Sequence, residues 1–296
     1  MWNGRFDSDD VDDLRLWQII KEFNENESQN GIVFTGYNTD DGIIRNLGRK
    51  GAVDGSNAIR KACSSLPYIK SFGDIFDTGN IDKYKLEDAQ KDLAGRTSLA
   101  ITLNCLPINL GGGHDIAFGT FSGIRDAFPD KTIGIINFDA HLDMRCYKEQ
   151  PTSGTMFKQI LDTDDNVNYM IIGYQDMGNT LRLRNLAQEK GVVISKVGEP
   201  FDVINNKLND FLENCDLIYT TFCMDAFDIT EAPGVSAPSS VGLEKRVAIQ
   251  IFKNIIMSGK LKAVDFAEVN PTLDNDNRTA RLVSNFIYKI LENRGA

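Results

Sequence analysis

Eight short apolar, β-branched runs recur along the chain, at 31–37, 75–79, 106–110, 132–138, 169–174, 192–197, 217–224 and 262–267, with helically spaced segments between them. The runs are near-continuous rather than alternating, which is the pattern of strands buried on both faces of a parallel sheet. Ile204, Leu208, Phe211 and Leu212 share one face of an intervening helix, and Val283, Phe286, Ile287, Ile290 and Leu291 share one face of the last. Strand and helix alternating in this way specify an α/β fold with helices on both sides of the sheet. The 296 residues contain no internal repeat, no low-complexity tract and no linker rich in Pro, Gly or Ser, so a single domain over 1–296 is expected.

The formal charge of −10 argues against nucleic acid and anionic membranes as partners, because an acidic surface repels phosphate at long range. No stretch approaches the ~20 apolar residues of a membrane span. The opening Trp2-Asn3-Gly4-Arg5 lacks a basic-then-apolar signal pattern, and a cytoplasmic location is the expectation. Five cysteines, Cys63, Cys105, Cys146, Cys215 and Cys223, make an odd number without paired spacing, which suits a reducing compartment. The acidic stretch 7–13 reads as a helix start or a solvated segment, without chemistry.

The chain has only two histidines, and both stand where apolar runs end, in Gly111-Gly112-Gly113-His114-Asp115 and in Asp139-Ala140-His141-Leu142-Asp143. Asp225 closes the run 217–224 and Glu268 closes 262–267. In open parallel sheets ligands gather at the carboxyl ends of the strands, so these residues are expected to converge. Asp139, His141 and Asp143 alternate, and on an extended segment alternate side chains point to one side and can grip one or two ions. Mixed carboxylate and imidazole donors suit Mn²⁺, Fe²⁺, Co²⁺ or Zn²⁺ better than Ca²⁺ or Mg²⁺. Taken singly, His114 is as well explained by packing, Glu268 by a helix cap or a pair with Arg281, and the glycines by a flexible turn. Three polar groups closing one buried strand are costly without an ion or hydrogen-bond partners.

These residues, with Ser153-Gly154-Thr155, the segment from Met224 to Asp228, Ala232-Pro233-Gly234-Val235-Ser236-Ala237-Pro238 and Glu268-Val269-Asn270-Pro271, resemble the ureohydrolase superfamily of arginases, agmatinases and formimidoylglutamases. The likeness covers nearly the whole chain. It implies a three-layer α/β/α sandwich around an eight-stranded, mostly parallel sheet, a dimanganese centre, and a homotrimer or hexamer. Trp2 to Asp7, Asp41-Gly42, Arg45-Asn46, Gly48-Arg49 and the stretch from Asp276 to Arg281 resemble the formimidoylglutamase branch, which implies hydrolysis of N-formimino-L-glutamate to L-glutamate and formamide in histidine breakdown. By the same resemblance His114, Asp143 and a bridging Asp139 hold one ion, and His141, Asp139 and Asp225 hold the other. Attack by a metal-activated hydroxide would be oriented by Asp143, with Glu268 binding the cationic formiminium nitrogens. Ser153, Arg145 and Arg278 are further candidates for substrate contact. Arg145 is suited to a substrate carboxylate, and Arg278, Arg49 and Arg182 are candidates for the second one. Met156 and Phe157 stand where arginase-type enzymes have a proton-shuttling histidine, which speaks against arginase activity.

One position departs from the superfamily pattern. Cys223 occupies the place of the first of two alternating aspartates, so three carboxylates and a thiol face two divalent ions. A thiolate prefers softer ions than manganese, and a weaker site or one selective for another transition metal is expected. Two other functions stay open: hydrolysis of a guanidino acid such as guanidinobutyrate, or of agmatine, with release of urea; and a non-catalytic binding homologue.

Overall fold

A computed structural model describes residues 2–25, 30–83, 85–147 and 149–293. Among these residues nine strands form one sheet: β1 (Lys21–Glu22), β2 (Gly31–Tyr37), β3 (Asp74–Ile81), β4 (Leu106–Leu110), β5 (Ile133–Phe138), β6 (Val167–Tyr174), β7 (Val193–Lys196), β8 (Leu217–Cys223) and β9 (Leu261–Ala267). Their order is β1-β3-β2-β4-β9-β8-β5-β6-β7, and every pairing is parallel. All eight expected strands form. The ninth, β1, is two exposed residues at the sheet edge and is too short to leave an apolar pattern.

The sheet is buried because both of its faces are mostly apolar. Ile136, Phe138, Phe222 and Phe266 pack with the helices Gly55–Ser64, Phe201–Glu213, Lys245–Met257 and Arg278–Asn293. Ile133, Ile135, Leu217, Tyr219 and Ala263 pack with Ile116–Ala127, Met156–Thr163 and Leu181–Glu189 on the other side. The helix Leu86–Thr102 lies against Ile116–Ala127 and joins that second layer. The three-layer arrangement follows from the period of two in strands that carry mostly hydrophobic residues on both faces. Each Ile, Leu or Phe among them contributes about 1.5–3 kcal/mol when fully buried.

Topology then places the candidate residues. β4, β9, β8 and β5 are four consecutive neighbours at the centre of the sheet. Leu110 pairs with Phe266, Phe266 with Phe222, and Phe222 with Phe138, so the four strands end level with one another. Directly beneath those ends Phe138 and Phe222 stack at 4.3 Å between ring centroids, and Phe222 and Phe266 at 5.0 Å. Phe252 and Phe286 close this aromatic cluster from the helix layer.

Candidate metal centre

The segment after β5 does not run on as an extended strand. The chain bends at Ala140 and His141, and Asp143 adopts a left-handed φ of 47°. The alternating-residue geometry expected from the sequence is therefore replaced by a braced turn. Asn179 is the brace: its side chain accepts from Leu142 N at 2.9 Å and donates to the carbonyls of Ala140 at 3.0 Å and Gln175 at 2.8 Å. Asp139 Oδ1 accepts from His141 N at 2.7 Å, and Asn137 donates to Asp139 Oδ2 at 3.1 Å. Gly178 lets the His141 ring lie close, since a Cβ there would come within 2.8 Å of His141 Cδ2.

His114 is delivered by the glycine turn after β4. Gly112 has a φ of 71°, and a Cβ on it would lie 2.5 Å from the Tyr37 ring, so the turn requires glycine on both counts. Its carbonyl accepts from Glu268 N at 2.9 Å, which locks the β4 turn to the end of β9. Glu268 itself has a φ of 64° and accepts from His114 N through Oε1 at 3.2 Å. Two left-handed non-glycine residues, Asp143 and Glu268, thus flank the same corner, where tertiary contacts hold backbone that would otherwise be disfavoured.

The side chains meet around Asp139. His114 Nδ1 lies 3.0 Å from Asp139 Oδ2 and 3.1 Å from Asp143 Oδ2. His141 Nδ1 lies 3.2 Å from Asp225 Oδ2 and 3.5 Å from Asp139 Oδ1. Among the described residues two groups bring potential ligand atoms within 4.8 Å of one another: His114, Asp139 and Cys223; and Asp139, His141 and Asp225. Asp139 belongs to both.

The electrostatics fit a site built for a cation. Attraction to Asp225, ahead of the contacts with Asp139, pushes His141 up to about 12. Burial opposes the charged form of His114, but its bonds to Asp139 and Asp143 outweigh that and hold its pKa well above the usual histidine value. Burial and then the Asp139 charge push Asp143 up to about 6 and also raise Asp225. Burial, then Asp225, lifts Glu268 well above an ordinary glutamate. Burial followed by the surrounding carboxylates does the same to the Cys223 thiol. Asp139 alone is lowered, because hydrogen bonds from both imidazoles overcome its burial. Carboxylates that raise one another are relieved by a divalent ion, which takes the place of the imidazole protons. Asp225 Oδ1 and Glu268 Oε2 are buried without a hydrogen-bond partner, as donor atoms awaiting one would be.

The remaining expected residues lie around this corner or away from it. Ser153 is buried, and its backbone N donates to Gly42 O at 3.1 Å. Arg145 is exposed, with its stem and the Asn46 amide both within 3.2 Å of where a Cβ on Gly154 would stand. Arg278 is exposed and donates to Thr230 O at 2.9 Å, and among the described residues no contact joins it to the two groups. Phe157 stacks on Tyr169 at 4.5 Å and turns its ring edge-on to His114 at 5.6 Å. Arg281 lies 3.5 Å from Asp276 rather than against Glu268. Sequence reasoning missed Asn179, Thr221 and Asp265, of which Asp265 carried a signal: a charge inside a run otherwise buried on both faces.

An arginase-family model matches residues 30–292. The chain belongs to that family. It is 37% identical to formimidoylglutamase of Staphylococcus epidermidis over 303 residues, covering 98% of this chain and 97% of that protein. It is 38% identical to formimidoylglutamase of Staphylococcus aureus over 304 residues, covering 99% and 97%. Of solved structures, Trypanosoma cruzi formiminoglutamase with Mn2+2 superposes with a TM-score of 0.87 at 23% identity, covering 96% of this chain and 99% of that one. Formimidoylglutamase from Bacillus subtilis does so at 0.85 and 22%, covering 98% and 94%. The arginase-family fold accounts for the sheet, its flanking helices and the position of the cluster at the strand ends. No helix among the described residues is long and apolar enough to cross a membrane.

Proposed function

We propose that this member of the arginase family hydrolyses N-formimino-L-glutamate to L-glutamate and formamide, with divalent ions held in the two groups that share Asp139. The reading is carried by the near full-length likeness, at 37–38% identity, to proteins named formimidoylglutamase. His114, Asp139, Asp143 and Cys223 would hold one ion and Asp139, His141 and Asp225 the other, manganese in the first instance. When bound, such ions supply positive charge that lowers the pKa of a water and makes a nucleophile available near neutral pH.

The chain's own groups do the rest. Glu268 is committed to His114 N through Oε1 only, so its buried Oε2 is free to accept from a cationic formiminium N–H. Asp143 orients the attacking water, takes its proton and returns it to the departing α-nitrogen as the bond between that nitrogen and the formimino carbon breaks. The substrate carries two carboxylates, and the nearby arginines differ in what they have left to offer. Arg45 is paired with Asp41 and Glu87, and Arg49 donates to the carbonyls of Val235 and Ser236. The Arg145 guanidinium has no ion pair or hydrogen bond among the described residues, and it ranks first as the clamp on a carboxylate. We place the protein in the cytoplasm, since an odd number of cysteines suits a reducing compartment, and expect a trimer or hexamer by light scattering.

The deciding experiment is a manganese-reconstituted assay with N-formimino-L-glutamate, guanidinobutyrate and agmatine side by side. Formamide and glutamate from the first substrate alone are expected. Urea from guanidinobutyrate would replace this reading by a guanidino-acid hydrolase. Silence on all three, repeated with zinc, cobalt and nickel, would leave a binding protein.

Cys223 tunes the ion. With a thiol in place of a carboxylate, the His114 group holds manganese less firmly than zinc or cobalt. Cys223→Asp is expected to raise manganese retention there by at least about tenfold. Metal analysis of the dialysed proteins tests it, and two manganese ions held firmly by the unaltered chain would show the thiol to be without effect.

A further inference from the structure

Behind His114 runs a line of buried polar groups that ligand contacts do not explain. His114 Nε2 lies 3.0 Å from Thr221 Oγ1. Thr221 donates its hydroxyl hydrogen to Asp265 Oδ1, and Tyr219 donates its own to Asp265 Oδ2. Thr221, Asp265 and Tyr219 are all fully buried. Thr221 and Asp265 face each other across the β8–β9 ladder, which fixes their contact by strand register.

The direction of these bonds has a consequence for the imidazole. A threonine hydroxyl owns one hydrogen, and a carboxylate can only accept. With its hydrogen given to Asp265, Thr221 has only lone pairs to offer His114. Nε2 must therefore carry the hydrogen on that side of the ring. Nδ1, 3.0 Å from Asp139 and 3.1 Å from Asp143, is then the nitrogen left to present a lone pair to a cation. His141 has no such line behind it among the described residues; its ring rests on Gly178.

We propose that Asp265, acting through Thr221, is a positioning residue that holds His114 in its Nε2–H form and aims Nδ1 into the corner shared by Asp139, Asp143 and Cys223. This rests on the metal-centre reading above. Groups standing behind a metal-bound histidine typically matter by about 10–100-fold in metal affinity. That range distinguishes the proposal from a role in which Asp265 merely stitches β8 to β9, since stitching would not act on one ion alone.

The test uses the full chain with Thr221→Val, Thr221→Ser and Asp265→Asn. Manganese titration should show Thr221→Val and Asp265→Asn weakened roughly 10–100-fold at one ion and unchanged at the other, with Thr221→Ser within about twofold of the parent. Because the chain has two histidines, ¹⁵N-histidine labelling resolves each ring. In the metal-free protein the His114 Nε2–H signal should be present in the parent and in Thr221→Ser. In Thr221→Val it should move while the His141 signals stay. Unchanged binding by Thr221→Val, equal weakening at both ions, or a parent His114 lacking hydrogen on Nε2 overturns the proposal. A parent that takes up no divalent ion while its Nε2–H signal behaves as expected instead defeats the metal reading, and the proposal falls with it.

Discussion

Asp139→Asn removes metal-dependent turnover altogether. Among the described residues Asp139 is the one whose two oxygens face both histidines, at 3.0 Å and 3.5 Å, so an amide in its place takes a donor oxygen from one group and the negative charge from both. The loss should exceed the roughly 10–100-fold that follows from disturbing a group behind a ligand. It should appear both in hydrolysis and in the metal content of the dialysed protein. The backbone should survive the change, because Asp139 N donates to Ile172 O at 3.0 Å through an atom the substitution leaves alone. Activity equal to that of the parent would sink the two-group scheme.

Phe222→Ala lowers stability by about 3–5 kcal/mol, the usual cost of emptying a buried aromatic site. Phe222 is fully buried between Phe138 and Phe266, with Phe252 and Phe286 against it, and little can move in to fill the space. Urea unfolding of both proteins measures the difference. Phe222 sits between Thr221 and Cys223 on β8, so metal retention should fall with it. Leu208→Ala, in the helix Phe201–Glu213 of the same core, should cost stability and leave the ions in place. A loss under about 1 kcal/mol for Phe222→Ala would mean that the aromatic stack closes over the cavity.

The strands were legible because each is a run of apolar, β-branched residues with polar punctuation, and β1 was not because two exposed residues carry no period. His114, Asp139, His141, Asp143, Asp225 and Glu268 stood out as polar groups closing buried runs, and topology brings the strands that carry them side by side. How Asp139, His141 and Asp143 converge could not be read from spacing. The bend depends on Asn179, which follows β6 and is distant in sequence, and on a left-handed Asp143 that no local preference selects. Asp265 was passed over, although it is a charge within an apolar run. Its partners were not visible, since they depend on the register between β8 and β9, which spacing along one chain does not encode.

Arg145 differs in exposure from the residues it would serve. The groups around Asp139 lie at the ends of four central strands and are largely buried, whereas Arg145, two residues beyond Asp143 on the stretch between β5 and the helix Met156–Thr163, is exposed. Loops of that kind accept substitution more readily than the sheet that carries them. If Arg145 clamps the substrate as proposed, substrate preference and bond-breaking capacity would diverge separately within this architecture: a change at the loop would alter which acid is admitted and leave the hydrolytic floor beneath it intact.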